Sequence, residues 1–140
     1  MADVDPKNPN RFLHTTRTKY EFQFGYSRAV RHGSVIRVAG SAGLGENGNV
    51  VSDDVVDQMR RALALVQAAI EDLGGRIEDV IMTRIYVSDS RNIDRVAPVH
   101  GDFFRDIRPA TTIVKVDFID PKILVEVEAE AVYGGAKEKT

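Results

Sequence analysis

Within residues 124–132, Leu-Val-Glu-Val-Glu-Ala-Glu-Ala-Val, the run 125–131 alternates without a break. In an extended strand Val125, Val127, Ala129 and Ala131 fall on one side, and Glu126, Glu128 and Glu130 on the other. Such a strand is half-buried: one face needs an apolar cover, and the other must meet water or a partner. A register slip of one residue would drive all three glutamates into the core. The chain is therefore committed to a sheet with one covered face, and the rest of the sequence must supply the cover.

Two segments do so. Ser52 reads as an N-cap, with Asp53 and Asp54 at the positive end of a helix dipole. Met59, Leu63, Val66, Ile70 and Leu73 then recur at helical spacing, and Gly74-Gly75 ends the run. A shorter helix is expected over 93–104, with Pro98 bending it or lying near its first turn. Further strands are expected at 11–16, 22–30, 35–39, 80–87 and 111–118, with a glycine-rich loop over 40–49 and a turn at Asp120-Pro121. The order β-β-β-α-β-α-β-β predicts an α+β two-layer sandwich, with two helices on one face of the sheet. Residues 1–10 are polar and read as a loose arm, 11–133 as the single domain, and 134–140 as a loose tail.

Composition narrows the function classes. With 140 residues, 43% apolar and 29% charged, the chain is of globular type and long enough for its own core. The formal net charge of -2, with both signs interspersed, disfavours nucleic acid as partner. The absence of cysteine excludes disulfides and thiolate chemistry. The first ten residues lack an apolar signal region, and no run approaches the roughly 20 apolar residues of a membrane span. The expectation is a cytoplasmic protein with no membrane partner.

The uncovered face is expected to present Arg37, Met82, Arg84, Tyr86, Ile113, Lys115, Glu126, Glu128 and Glu130. Large apolar groups beside pairable charges suit a surface that meets another subunit, with clefts at the seams. A monomer with stray apolar residues on a solvated face is the plainer alternative. Carboxylates about 7 Å apart along one strand raise one another's pKa, which suits proton transfer. They equally suit a structural ion network with Arg37, Arg84 and Lys115. His14, His32 and His100 lack metal-ligand spacing, so no metal is expected. Ser27 and Ser41 lie in no nucleophile elbow, and the Gly43–Gly48 loop lacks the ending of a phosphate cradle.

Several segments taken in order resemble the Rid family (reactive intermediate deaminase, also called YjgF or endoribonuclease L-PSP). They are Gly25-Tyr26-Ser27-Arg28-Ala29-Val30, Val38-Ala39-Gly40-Ser41, Phe103-Phe104, Arg108-Pro109-Ala110-Thr111-Thr112, and Asp120-Pro121 through Glu126-Val127-Glu128-Ala129. The resemblance implies a chorismate-mutase-like fold, a homotrimer, and small-molecule clefts between subunits that need no cofactor. Deaminating members hydrolyse enamines or imines such as 2-aminoacrylate. Carried over by position, Glu126 is the catalytic carboxylate and Tyr26 the cleft tyrosine. Ala39, Gly40, Thr111 and Ile113 line the substrate, with Arg37, Arg84 and Glu128 as supporting charges. The sequence departs from the family at Thr111, where deaminases carry an arginine that grips the substrate carboxylate. Threonine cannot form that two-pronged grip, so weak or absent 2-imino-acid deamination is expected. A non-catalytic metabolite-binding or protein-interaction role is the alternative, with endoribonuclease the less favoured third.

Overall fold

The computed structural model describes residues 2–134 as a single seven-stranded sheet with helices packed against it. The strands are β1 (Asp3–Asp5), β2 (Asn8–His14), β3 (Ala29–His32), β4 (Val35–Ala42), β5 (Val80–Val87), β6 (Ala110–Lys115) and β7 (Val125–Val132). The helices are α1 (Lys19–Phe24), α2 (Val55–Asp72) and α3 (Ile93–Phe104). Spatial order is β1-β2-β3-β4-β7-β5-β6; only β5 and β6 run parallel. β7, last in the chain, sits inside the sheet between β4 and β5. This explains its strict alternation, because both its edges are paired and neither of its faces can change role.

The expected stripe on α2 is buried: Met59, Leu63, Val66 and Ile70 are fully enclosed, and Leu73 nearly so. They pack against β4 and β7, in one buried cluster with Ile36, Val38, Val125, Val127, Ala129 and Ala131, to which α3 adds Val96 and Phe104 and β5 adds Ile85 and Val87. The two-layer sandwich is therefore the architecture observed. Pro98 lies within α3 and the helix runs on to Phe104.

Several expectations need correction. Residues 3–10, read as a loose arm, form most of a hairpin in which Asp3 and Val4 pair with Leu13 and Phe12. Its turn is stapled by Asp5, which accepts from the Lys7 amide and pairs with Arg11 at 2.9 Å. Residues 22–30 are not one strand. Thr18 and Glu21 form a capping box that starts α1, and Gly25, at φ 71°, ends it before β3 begins. Asp54, not Ser52, caps α2, accepting from the amides of Val56 and Asp57; Ser52 accepts from the Asp54 amide and donates to Asp57. The 134–140 tail lies, from 135 on, outside the described residues.

Two faces also change. A bulge between Val80 and Met82 turns Val80 into the core and leaves Ile81 54% exposed. On β6 the parallel register sets Ile113 beside Ile85 and Lys115 beside Val87, on the helix-covered side. Ile113 packs against the core, and Thr112 and Val114 take the open face instead. The alternation of β6 was visible; which of its faces pointed inward depended on pairing with β5.

Candidate functional site

Glu126 stands on the open face near the start of β7. It is opposite Tyr86 on β5 and Ala42 on β4. β4 bulges between Val38 and Ser41, and this irregularity carries Ala39 and Gly40. A methyl group on Gly40 would lie 2.5 Å from Glu126 Oε1. The carboxylate thus occupies a notch that exists because position 40 has no side chain.

The three glutamates occupy different environments. Glu130 is neutralised by Arg37 (3.2 Å) and Arg84 (3.7 Å). Glu128 accepts a short hydrogen bond from the Tyr86 hydroxyl, and that bond, with burial, pushes the Tyr86 pKa up. Glu126 has no ion-pair partner among the described residues. Burial pushes its carboxyl above the usual carboxylate range; the Arg28 guanidinium opposes this, and the charge of Glu128 reinforces it. The row is therefore ion-paired at its Glu130 end, while at its Glu126 end the carboxyl has no ion pair among the described residues and is shifted upward by burial.

Of the residues expected at the site, the fold brings together Glu126, Gly40, Ala39 and Glu128. Arg37 and Arg84 are engaged at Glu130, four residues along β7 from Glu126. Tyr26 is exposed where α1 returns toward β3, its amide bonded to Glu21 O at 2.9 Å. Thr111 and Ile113 lie on the opposite, helix-covered face of edge strand β6. The Thr111 hydroxyl meets Thr83 Oγ1 at 2.8 Å and stands 3.5 Å from His100 Nε2. His100 meets Thr83 at 2.8 Å and packs on Phe104, and burial lowers its pKa, favouring the neutral ring. Within one chain, Thr111 therefore belongs to a threonine–histidine cluster rather than to the Glu126 notch.

Sequence reasoning missed Arg28 as a site residue. Its Nη2 donates to Gly40 O through a short bond, and lies 3.4 Å from Ala39 O and 3.5 Å from Ser41 Oγ. No spacing rule signals this, because the contact depends on the β4 bulge. Two shallow hollows of the single chain lie around residues 45–53, lined in part by Glu46, Asn49 and Asp53, and not around Glu126. Among the described residues no group of three His, Asp or Glu is placed to hold a metal, and no helix is long and apolar enough to cross a membrane.

Comparison with known proteins agrees with this architecture. The sequence profile of the family described as Endoribonuclease L-PSP matches residues 17–133. An uncharacterized protein of Streptomyces coelicolor is 38% identical over 118 residues, 84% of this chain and 87% of that protein. A RutC family protein of Pyrococcus abyssi is 30% identical, over 76% of this chain and 84% of its own length. Among solved structures, a Mycobacterium tuberculosis member of the YjgF/YER057c/UK114 family superposes with a TM-score of 0.79 at 40% identity, covering 87% of this chain and 98% of that one. The central β7, its flanking bulge and the two covering helices all lie inside the matched span, and on these grounds the chain belongs to the Rid/YjgF family, also described as endoribonuclease L-PSP.

Proposed function

We propose that copies of this chain assemble into a homotrimer whose seams close over the Glu126 notch, and that the resulting clefts bind a small metabolite and hydrolyse a C=N or related bond. The observation that carries this reading is Glu126 itself, held against Gly40 without an ion-pair partner and raised in pKa by burial. A carboxyl tuned upward can donate a proton to the nitrogen of an imine. As carboxylate, it can then take one from the water that adds to the carbon. The resulting carbinolamine loses ammonia and leaves a carbonyl. No cofactor is needed for these steps.

Assembly is supported by the composition of the open face. Val35, Met82, Tyr86 and Val114 lie there among Arg37, Arg84 and the glutamates, with Val35 48% and Val114 40% exposed. Large apolar groups interleaved with paired charges suit a face between subunits better than one in water. β6 also offers an unpaired edge beside it.

Thr111 sets the limit on substrate. Its hydroxyl is engaged by Thr83 and it carries no charge, so it cannot grip a carboxylate as an arginine would. Hydrolysis of 2-aminoacrylate is expected to be weak beside that of an arginine-bearing relative in the same assay. The test of the whole reading is Glu126→Gln: turnover of an accepted imine should vanish while sedimentation still reports a trimer. A stable lone protomer in the ultracentrifuge, or undiminished turnover by the variant, would overturn it.

A further inference from the structure

Asparagine stands at positions 8, 10, 47, 49 and 92, and only Asn47 is followed by glycine. An asparagine side-chain amide is open to attack by the backbone nitrogen of the next residue, and the next side chain decides how easily the two approach. Asn8 precedes Pro9, whose nitrogen has no hydrogen to lose. Asn49 and Asn92 precede Val50 and Ile93, whose branched side chains crowd the approach. Asn10 precedes Arg11 within β2, a strand paired with both β1 and β3. Asn47 alone meets a neighbour with no side chain.

The fold sets this pair at the tip of an exposed hairpin. Leu44 bridges Val50, the Gly45 amide donates to Asn49 O at 2.8 Å, and the Gly48 amide donates to Gly45 O at 3.0 Å. Residues 46–49 are all exposed. Gly48 sits at φ 82°, where glycine is favoured, so the turn itself demands the residue that makes Asn47 vulnerable. The same turn restrains both reacting groups. Gly45 O engages the Gly48 nitrogen, and Asn47 Oδ1 accepts from the Asn49 amide at 2.9 Å. Ring closure requires both bonds to open, so the folded turn brakes a reaction that the sequence favours.

Below the tip the hairpin is fixed. The Val51 amide donates to Gly43 O at 2.9 Å, and Arg61 Nε donates to Leu44 O at 2.7 Å. Gly43 lies so close to α2 that a methyl group there would stand 2.6 Å from Gln58 Cα. A change at the tip is thereby isolated from the sheet.

We propose that Asn47 is a self-modification site, converted slowly in the folded protein to an acid through a cyclic imide. The Gly48 nitrogen bonds to Asn47 Cγ and gives up its proton. The Cγ–Nδ2 bond breaks, and ammonia leaves carrying that proton. Water then opens the ring at either carbonyl, leaving aspartate or isoaspartate at position 47. Either product adds a negative charge beside Glu46, and isoaspartate also lengthens the backbone within the turn.

The test incubates the whole protein in mildly alkaline buffer at physiological temperature and locates modified residues by peptide fragmentation in a mass spectrometer. The amide-to-acid mass gain should appear at Asn47 before any other asparagine, divided between two chromatographic forms. The chain unfolded in guanidinium should react roughly tenfold or more faster, because the two hydrogen bonds no longer oppose closure. Asn47→Gln, whose longer side chain disfavours the ring, should show no gain at that position. The aged protein should keep the thermal transition of the fresh one. Conversion at another asparagine ahead of Asn47, or an equal gain in Asn47→Gln, would overturn the assignment. Equal rates in folded and unfolded chains would overturn the brake, and a lost thermal transition would overturn the isolation of the tip.

Discussion

Replacing Gly40 with alanine tests whether the notch, rather than the strand around it, sets the chemistry of Glu126. The added carbon would sit 2.5 Å from Oε1, so the carboxylate must retreat by about 0.9 Å to reach the 3.4 Å of ordinary contact. Only this oxygen is that close, with Cδ already at 3.7 Å and no backbone atom near. Turning a side-chain end to make that room costs roughly 0.5–1.5 kcal/mol. Replacing glycine by alanine in a compatible backbone returns about 0.4–1 kcal/mol through the unfolded chain. Net stability by urea denaturation should therefore stay within ~1 kcal/mol of wild type. The carboxyl, expelled toward water, should lose much of its desolvation, so its midpoint in a carbon-detected NMR titration should fall toward that of an ordinary glutamate. Ligand binding at the notch should fall with it. An unchanged Glu126 midpoint, or a loss of more than ~3 kcal/mol, would refute the reasoning: the notch would then be either roomy or held by backbone.

Two further outcomes follow from the ionisation of other groups and of Glu126 itself. Because the folded state raises the Glu126 pKa, its favourable contribution is complete below the unfolded pKa and lost as pH rises through the folded one. Glu126→Gln should accordingly gain stability relative to wild type at neutral pH and lose that advantage in acid, as paired denaturation curves at the two pH values would report. Glu21 behaves in the opposite way. Burial disfavours its charge, but bonds from the Thr18 amide and from the Thr16 and Thr18 hydroxyls hold its pKa at about 2. Its contribution is present above the ordinary carboxylate pKa and lost as pH falls toward 2. Glu21→Gln should cost on the order of 2 kcal/mol at neutral pH, with the difference from wild type closing in acid.

The strands and helices with a continuous period were legible from residues alone. α3 and β5 were read at their observed bounds, and β7 within one residue, because each is written by a long run of matching side chains. α1 was not, although its Thr18–Glu21 box was in plain view, because Phe22 and Phe24 suggested a buried strand. They are in fact 70% and 66% exposed. Apolar residues at period two imitate a strand even on a helix too short to show its own period. The β1–β2 hairpin was missed for another reason: it has little apolar pattern, and what orders it is the edge of β3 together with the Asp5 turn.

For the site, the row Glu126, Glu128, Glu130 and its single face were determined by the sequence, since alternation on a central strand permits no other arrangement. Only the tertiary structure decided that the three differ: Glu130 is paired with Arg37 and Arg84, Glu128 is hydrogen-bonded by Tyr86, and Glu126 is buried with its pKa pushed up. It alone also turned Thr111 toward His100 and brought Arg28 to Gly40. Pattern along a strand tells which side a residue takes. Which neighbours it meets there depends on register and on a one-residue bulge in another strand, and neither is written in its own segment.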